Sequence, residues 1–157
     1  MYPVKVASMC FFHSISWADS DEKKANRDRE IDLIKHGKRS VLCNVNIPQA
    51  FASDNLEKFA VQLEFAKKLA MESSDSEIIS ALKGMKARKD RTFIVEKTIK
   101  PVLFIVGEKD NYIPKEKLLE LAEKAKSKTV VLLKDSGHMG FVEEKEKAVR
   151  ELLNFLQ

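Results

Sequence analysis

Two residues in the last third of this chain have the types and positions to do proton chemistry. Asp110 comes three residues after Gly107, which ends the apolar run Val102–Val106. His138 lies in the loop Ser136-Gly137-His138, just after a second apolar run at Thr129–Leu133. A carboxylate beside an imidazole fixes its tautomer and steadies the imidazolium, so that the other ring nitrogen can take a nucleophile's proton. Singly, each residue has a plainer reading. Asp favours turns because it bonds its own backbone, and a histidine beside a glycine sits readily in a surface loop. The elements between them are what make a pair.

The stretch KPVLFIVGEKDNYIPKEKLLELAEKAKSKTVVLLKDSGHMGFV reads as strand, helix, strand. Val102–Val106 is short, apolar and rich in β-branched residues, as in a strand buried on both faces of a parallel sheet. Pro114 opens the helix, where its missing N–H costs nothing. A right-handed crossover then places both strand C-termini on one rim of the sheet. Open α/β sheets hold their ligands at that rim. Asp110 and His138 are therefore expected within hydrogen-bond reach, about 2.6–3.2 Å.

The segments PVLFIVGEKDNYIP and LLKDSGHMGF resemble the closing part of the α/β-hydrolase fold, with its GxxD acid turn and GH loop. The resemblance implies that Asp110 is the acid and His138 the base of a triad. Their order agrees with the family's sequence of nucleophile, acid, histidine. It spans the whole chain but only the second half of a family member. It implies a parent activity of hydrolysing a small ester- or amide-type substrate through a serine nucleophile. No G-x-S-x-G is present: Ser8, Ser14 and Ser136 all lack the pattern, and so does the rest of the chain. The oxyanion-hole loop that the family places before the nucleophile elbow is missing too. By the resemblance the chain begins one helix after the elbow, and alone it is expected to be inactive. The alternative is a non-catalytic relic, or one subunit of a split complex. A hydrolase built on Cys10 or Ser14 is disfavoured, since neither sits on a strand-to-helix elbow.

Three regions follow in order. Residues 1–18 hold a first core strand, Val4–Phe12, and a rim loop. His13 and Ser14 stand at its end, and His13 reads either as a third site contributor or as a hydrogen-bonded loop histidine. Residues 19–98 read as helices. Asp19 or Ser20 caps one that runs through Lys35 and stops at Gly37. Lys38–Asn46 makes a second, broken around Pro48, and Ser53 or Asp54 caps a third bearing Leu56, Phe59, Ala60, Leu63, Ala66 and Ala70. Ser74 starts a fourth, with Ile78, Ile79, Leu82 and Met85 on one stripe that faces a core; residues 90–99 form a short return helix. By the resemblance this insertion is a cap, and Phe51, Phe59 and Met71 join His13 and Ser14 as candidates for lining a substrate pocket. Residues 99–157 carry the acid, the histidine and an amphipathic helix at Glu143–Leu156, whose Ala148, Leu152, Leu153 and Phe155 cover the sheet. The fold class is α/β: a partial α/β-hydrolase with a short parallel sheet of about three strands and a helical cap insertion.

Composition bounds the remaining classes. The chain is 44% hydrophobic and 33% charged, and its net charge of +4 divides as +1, +2 and +1 over residues 1–18, 19–98 and 99–157. Nucleic-acid binders segregate a basic face, so no nucleic-acid partner is expected. Cys10 and Cys43 are too few for a disulfide framework or a zinc site, and both are expected as buried, reduced thiols. No apolar stretch reaches the ~20 residues of a membrane span, and no targeting signal is evident; a cytoplasmic protein with no membrane partner is expected. No Gly-rich phosphate loop is present, and no cofactor or metal is expected. The expected partners are a small-molecule substrate and, because the outer edge of the first strand is guarded only by Pro3 and Lys5, a second copy or a chain supplying further strands.

Overall fold

Val102–Gly107 (β2) is buried along its whole length, and the other elements are laid against it. The computed structural model describes residues 5–157. Met9–Phe12 (β1) and Lys128–Leu133 (β3) flank β2 as parallel neighbours, in the order β1-β2-β3. Alternation along β2 sends Val102, Phe104 and Val106 to one face and Leu103 and Ile105 to the other. Lys115–Glu123 (α6) covers the first face with Leu118, Leu121 and Ala122, and Phe11 stacks on Phe104 at 5.2 Å. Lys145–Leu156 (α8) covers the second with Ala148, helped by Leu152 and Phe155. Leu153, expected on that face, is 55% exposed, because it lies about 100° round the helix from Leu152.

β1 is shorter than the expected Val4–Phe12. Its pairing begins at Met9, opposite Val102, and the N–H of Met9 already bonds the carbonyl of Pro101. β2 starts only after that proline, so Val6–Ser8 have no strand beside them among the described residues; Val4 lies outside those residues. Cys10 is exposed rather than buried, on a strand that is the edge of the sheet, while Cys43 is buried as expected.

Five helices lie between β1 and β2: Asp21–Lys35 (α1), Arg39–Gln49 (α2), Ala60–Glu72 (α3), Asp75–Lys86 (α4) and Thr92–Lys97 (α5). Ser20 caps α1, and Gly37, at φ 73°, ends it. Ser74 and Glu77 close a capping box on α4. Ile31, Ile34 and Leu82 form a core within this layer, joined by Leu42, Ile78 and Ile79. Pro48 does not break α2 as expected but sits in its last turn, where its missing N–H forfeits one helical bond. α3 starts at Ala60 rather than after Ser53, because Ser53–Asn55 is a 3-10 turn committed to the rim. No described helix is long and apolar enough to cross a membrane.

The expected helix Glu143–Leu156 is two helices, Gly140–Glu143 (α7) and α8, broken at Glu144 (φ −130°, ψ 50°). Both glutamates turn back onto the histidine loop instead of serving a helix N-terminus, and the backbone bends to let them.

Candidate active site

Asp110 follows β2 in a tight turn that it builds itself. Its Oδ1 accepts the N–H groups of Tyr112 (2.8 Å) and Ile113 (3.0 Å). Its Oδ2 is thereby aimed across the rim at His138 Nδ1, 2.9 Å away, which is the hydrogen bond expected from the sequence. Asp110's side chain is fully buried, whereas that of His138 is 31% exposed. Burial pushes the Asp110 carboxyl up, but contacts from His13 and His138, the His138 charge and the Ile113 N–H outweigh it and hold it well below the usual carboxylate range. With Nδ1 turned to Asp110, the other ring nitrogen of His138 points away from the acid.

The loop carrying His138 is held from beneath. Its N–H and that of Met139 both reach the carbonyl of Ala50, at 2.7 and 3.1 Å. The buried carboxyl of Glu143 accepts the N–H of Ala52 (2.8 Å), the Asn55 amide (2.9 Å) and the N–H of Gly137 (2.8 Å). Ser136 is fully buried and its hydroxyl donates to Glu144 at 2.7 Å. The backbones come so close that a Cβ on Gly137 would stand 2.6 Å from the nitrogen of Ala52. The acid loop is tied to the same helical layer: Tyr112 Oη donates to the carbonyl of Asn46 at 2.5 Å, and Asn111 Nδ2 donates to that of Gln49 at 3.2 Å. The Tyr112 ring meets His138 edge-on at 5.4 Å, and burial, then Glu30 and Asp110, push its hydroxyl up to about 12.

His13 completes the cluster. It ends β1 with its N–H on the carbonyl of Ile105 and adopts φ 42°, a left-handed conformation that few non-glycine residues take. Its ring is buried 5.7 Å from that of His138, with Nδ1 3.5 Å from Asp110 Oδ2. The hydrogen-bonded loop histidine expected here is not found, since neither ring nitrogen has a hydrogen-bond partner. Among the described residues, His13, Asp110 and His138 could together hold a metal ion, as one donor atom from each lies within 4.8 Å of the others.

The remaining pocket candidates lie elsewhere. Phe51 is buried beneath the histidine loop, Ser14 is exposed, Phe59 is half-buried beside the Lys58 ammonium, and Met71 is 39% exposed on α3. No hydrogen bond, ion pair or ring contact joins these four side chains to Asp110 or His138. Two surface clefts, about 460 and 330 Å³, share Trp17 and Lys117, and neither is lined by an imidazole. Glu143, Asn55 and Tyr112 also brace the site, beyond the residues expected from the sequence. Only Tyr112, an aromatic two residues after the acid, carried a local signal.

The family model for alpha/beta hydrolase domain containing 18 matches residues 18–154. The chain belongs to that family. None of the curated proteins matches it. Solved structures show how much of an α/β hydrolase it represents. An esterase from Thermogutta terrifontis superposes with a TM-score of 0.91 at 21% identity, covering 99% of this chain and 57% of its own. The enol-lactonase from Burkholderia xenovorans LB400 gives 0.85 at 18% identity, over 97% of this chain and 56% of its own. MGS-M2, an alpha/beta hydrolase from a Medee basin deep-sea metagenome library, gives 0.84 at 20% identity, over 99% and 57%. This α/β-hydrolase chain thus spans somewhat more than half the length of these structures, and the likeness is one of fold.

Proposed function

We propose that Asp110 and His138 are the acid and base of a hydrolase acting on a small ester- or amide-type substrate, with a serine nucleophile supplied by a segment other than these 157 residues. The observation that supports this reading is the 2.9 Å contact, at the ends of β2 and β3, between His138 Nδ1 and Oδ2 of a buried Asp110 whose Oδ1 is anchored by two backbone N–H groups. In this role Asp110 holds the ring's hydrogen on Nδ1 and offsets the imidazolium charge. Nε2 takes the proton from the attacking hydroxyl and returns it to the leaving group. The segment that brings the serine pairs along the free edge of β1, whose C-terminal end opens on the same rim.

The test has two arms. The chain alone is expected neither to hydrolyse p-nitrophenyl acetate above background nor to take a fluorophosphonate label. Co-expressed with a segment carrying further strands and a G-x-S-x-G elbow, it is expected to gain both, and D110N to cut turnover about 10⁴-fold. Stoichiometric labelling of a serine in the chain alone, or reconstituted activity indifferent to D110N and H138Q, would overturn the proposal.

A further inference from the structure

We propose that His13, Asp110 and His138 form a binding site for one divalent transition cation of the Zn²⁺ type, and that this cation and the Asp110–His138 hydrogen bond exclude each other. The first half stands on geometry alone; the second rests on the base role given to His138 above.

His13 is the starting point. Its side chain is 3% exposed, yet neither ring nitrogen has a hydrogen-bond partner. A buried, unpaired polar group is destabilising, and such groups in native structures call for a water, an ion or a reactive role. The ring cannot turn away to find relief. A Cβ on Gly107 would lie 2.8 Å from its Cε1, and one on Gly140 would lie 2.2 Å from its Nε2, so it is wedged between two glycine backbones. The left-handed backbone at φ 42° accompanies that placement. Nδ1 is left 3.5 Å from Asp110 Oδ2, beyond the roughly 2.7–3.2 Å of an N–H···O bond.

That spacing suits a shared cation. Ligand nitrogens about 2.0–2.1 Å from a tetrahedral Zn²⁺ stand about 3.3–3.4 Å from one another. Two of the three separations, 2.9 Å from Asp110 Oδ2 to His138 Nδ1 and 3.5 Å to His13 Nδ1, bracket this value, and all three donors lie within 4.8 Å of one another. Two imidazoles with one carboxylate select a borderline transition ion over Mg²⁺ or Ca²⁺, which take oxygen ligands. The N–H groups of Tyr112 and Ile113 fix Asp110 from behind, as metal-bound carboxylates require. Three protein donors on the buried side leave a fourth position on the side where His138 is exposed.

The exclusion follows from the imidazole. In the hydrogen-bonded state the neutral ring of His138 carries its hydrogen on Nδ1, and Nε2 is free to accept a proton. A cation takes the Nδ1 lone pair and Asp110 Oδ2, so the hydrogen moves to Nε2, which then accepts nothing. Occupancy would switch the base off.

Titration of the full chain with ZnCl₂ by calorimetry, without substrate, tests the site. One saturable site is expected. H13Q and H138Q should each weaken it at least about tenfold, while H36Q, at the exposed histidine that ends α1, should leave it unchanged. Each variant's fold is checked by circular dichroism; should H13Q unfold, H138Q, at the rim, carries the comparison. Absence of saturable binding, or binding abolished by H36Q and indifferent to H138Q, overturns the proposal. Long-range ¹H–¹⁵N spectra read the exclusion: the His138 hydrogen should pass from Nδ1 to Nε2 at saturation, and an Nδ1–H that persists overturns that half.

Discussion

Glu143 Oε1 accepts the backbone N–H of Ala52 at 2.8 Å, joining positions 91 apart in the chain. The same oxygen takes the Asn55 amide, and Oε2 takes the N–H of Gly137. One buried side chain thus ties the helical insertion to the loop that carries His138. Removing it strands the N–H groups of Ala52 and Gly137 in a dry place, where each unsatisfied group costs about 1–3 kcal/mol, and leaves the Asn55 amide only its bond to the carbonyl of Asp135. E143A is expected to destabilise the chain by about 3 kcal/mol or more. Urea unfolding with an unchanged slope checks this, and a shift below ~0.5 kcal/mol would count against the bridge.

Two glycines make opposite predictions. A Cβ on Gly107 would stand 2.1 Å from the carbonyl oxygen of Gly137, 2.8 Å from that of Ser136 and 2.8 Å from the buried His13 ring. G107A is expected to cost about 3 kcal/mol or to prevent folding. Gly84, near the end of α4, has nothing within 4 Å of the same position. There G84A removes unfolded-state freedom and should stabilise by about 0.5–1 kcal/mol. Thermal melts of the two variants should move in opposite directions.

Asp110 sets an acid limit on stability. Its folded carboxyl is held below the ordinary range, so the unfolded chain binds its proton first as pH falls. The stability it contributes is fully present above the unfolded pKa of about 3.9 and is lost as pH drops toward the lower folded value. The difference in unfolding free energy between the parent chain and D110N is expected to be largest near neutrality and to shrink below about pH 4. A difference constant from pH 7 to pH 3 would contradict this.

The free side of β1 should be adhesive. Met9 and His13 direct their N–H groups toward β2, so by alternation those of Cys10 and Phe12 point outward, to a side where no strand lies among the described residues. An unpaired edge templates pairing with another strand. The isolated chain is expected to self-associate as concentration rises, and C10P, which deletes one outward donor, to shift it toward monomer. Light scattering after size exclusion reads both; a monomer at every concentration would mean that the edge is protected.

The contact between Asp110 and His138 was legible because its signal is local. Each residue follows an apolar run, and a right-handed crossover can only bring such run-ends together. The positions of β2, β3, α1 and α4 were legible for the same reason: buried runs, Ser20, Ser74 and Gly37 act within a few residues of themselves. What was missed depends on partners far away. β1 is cut to four residues by where β2 begins, after Pro101. Glu143 and Glu144 look like helix-start charges until Ala52, Asn55 and Ser136 are brought beside them. The start of α3 slips to Ala60 because Ser53–Asn55 is needed under the histidine loop. His13 reads as a rim histidine, and nothing near it in the sequence foretells a ring locked between Gly107 and Gly140.

The carbonyl of Ala50 receives both the His138 and the Met139 N–H groups, and it lies just beyond the last turn of α2. The helices between β1 and β2 are therefore not an interchangeable cassette. Grafting the corresponding helices of another α/β-hydrolase-fold protein onto this sheet would transplant the helical layer and at the same time remove the footing of the imidazole. An engineer seeking new specificity would have to carry Gln49–Asn55 along with the sheet, and redesign only what lies on either side of it.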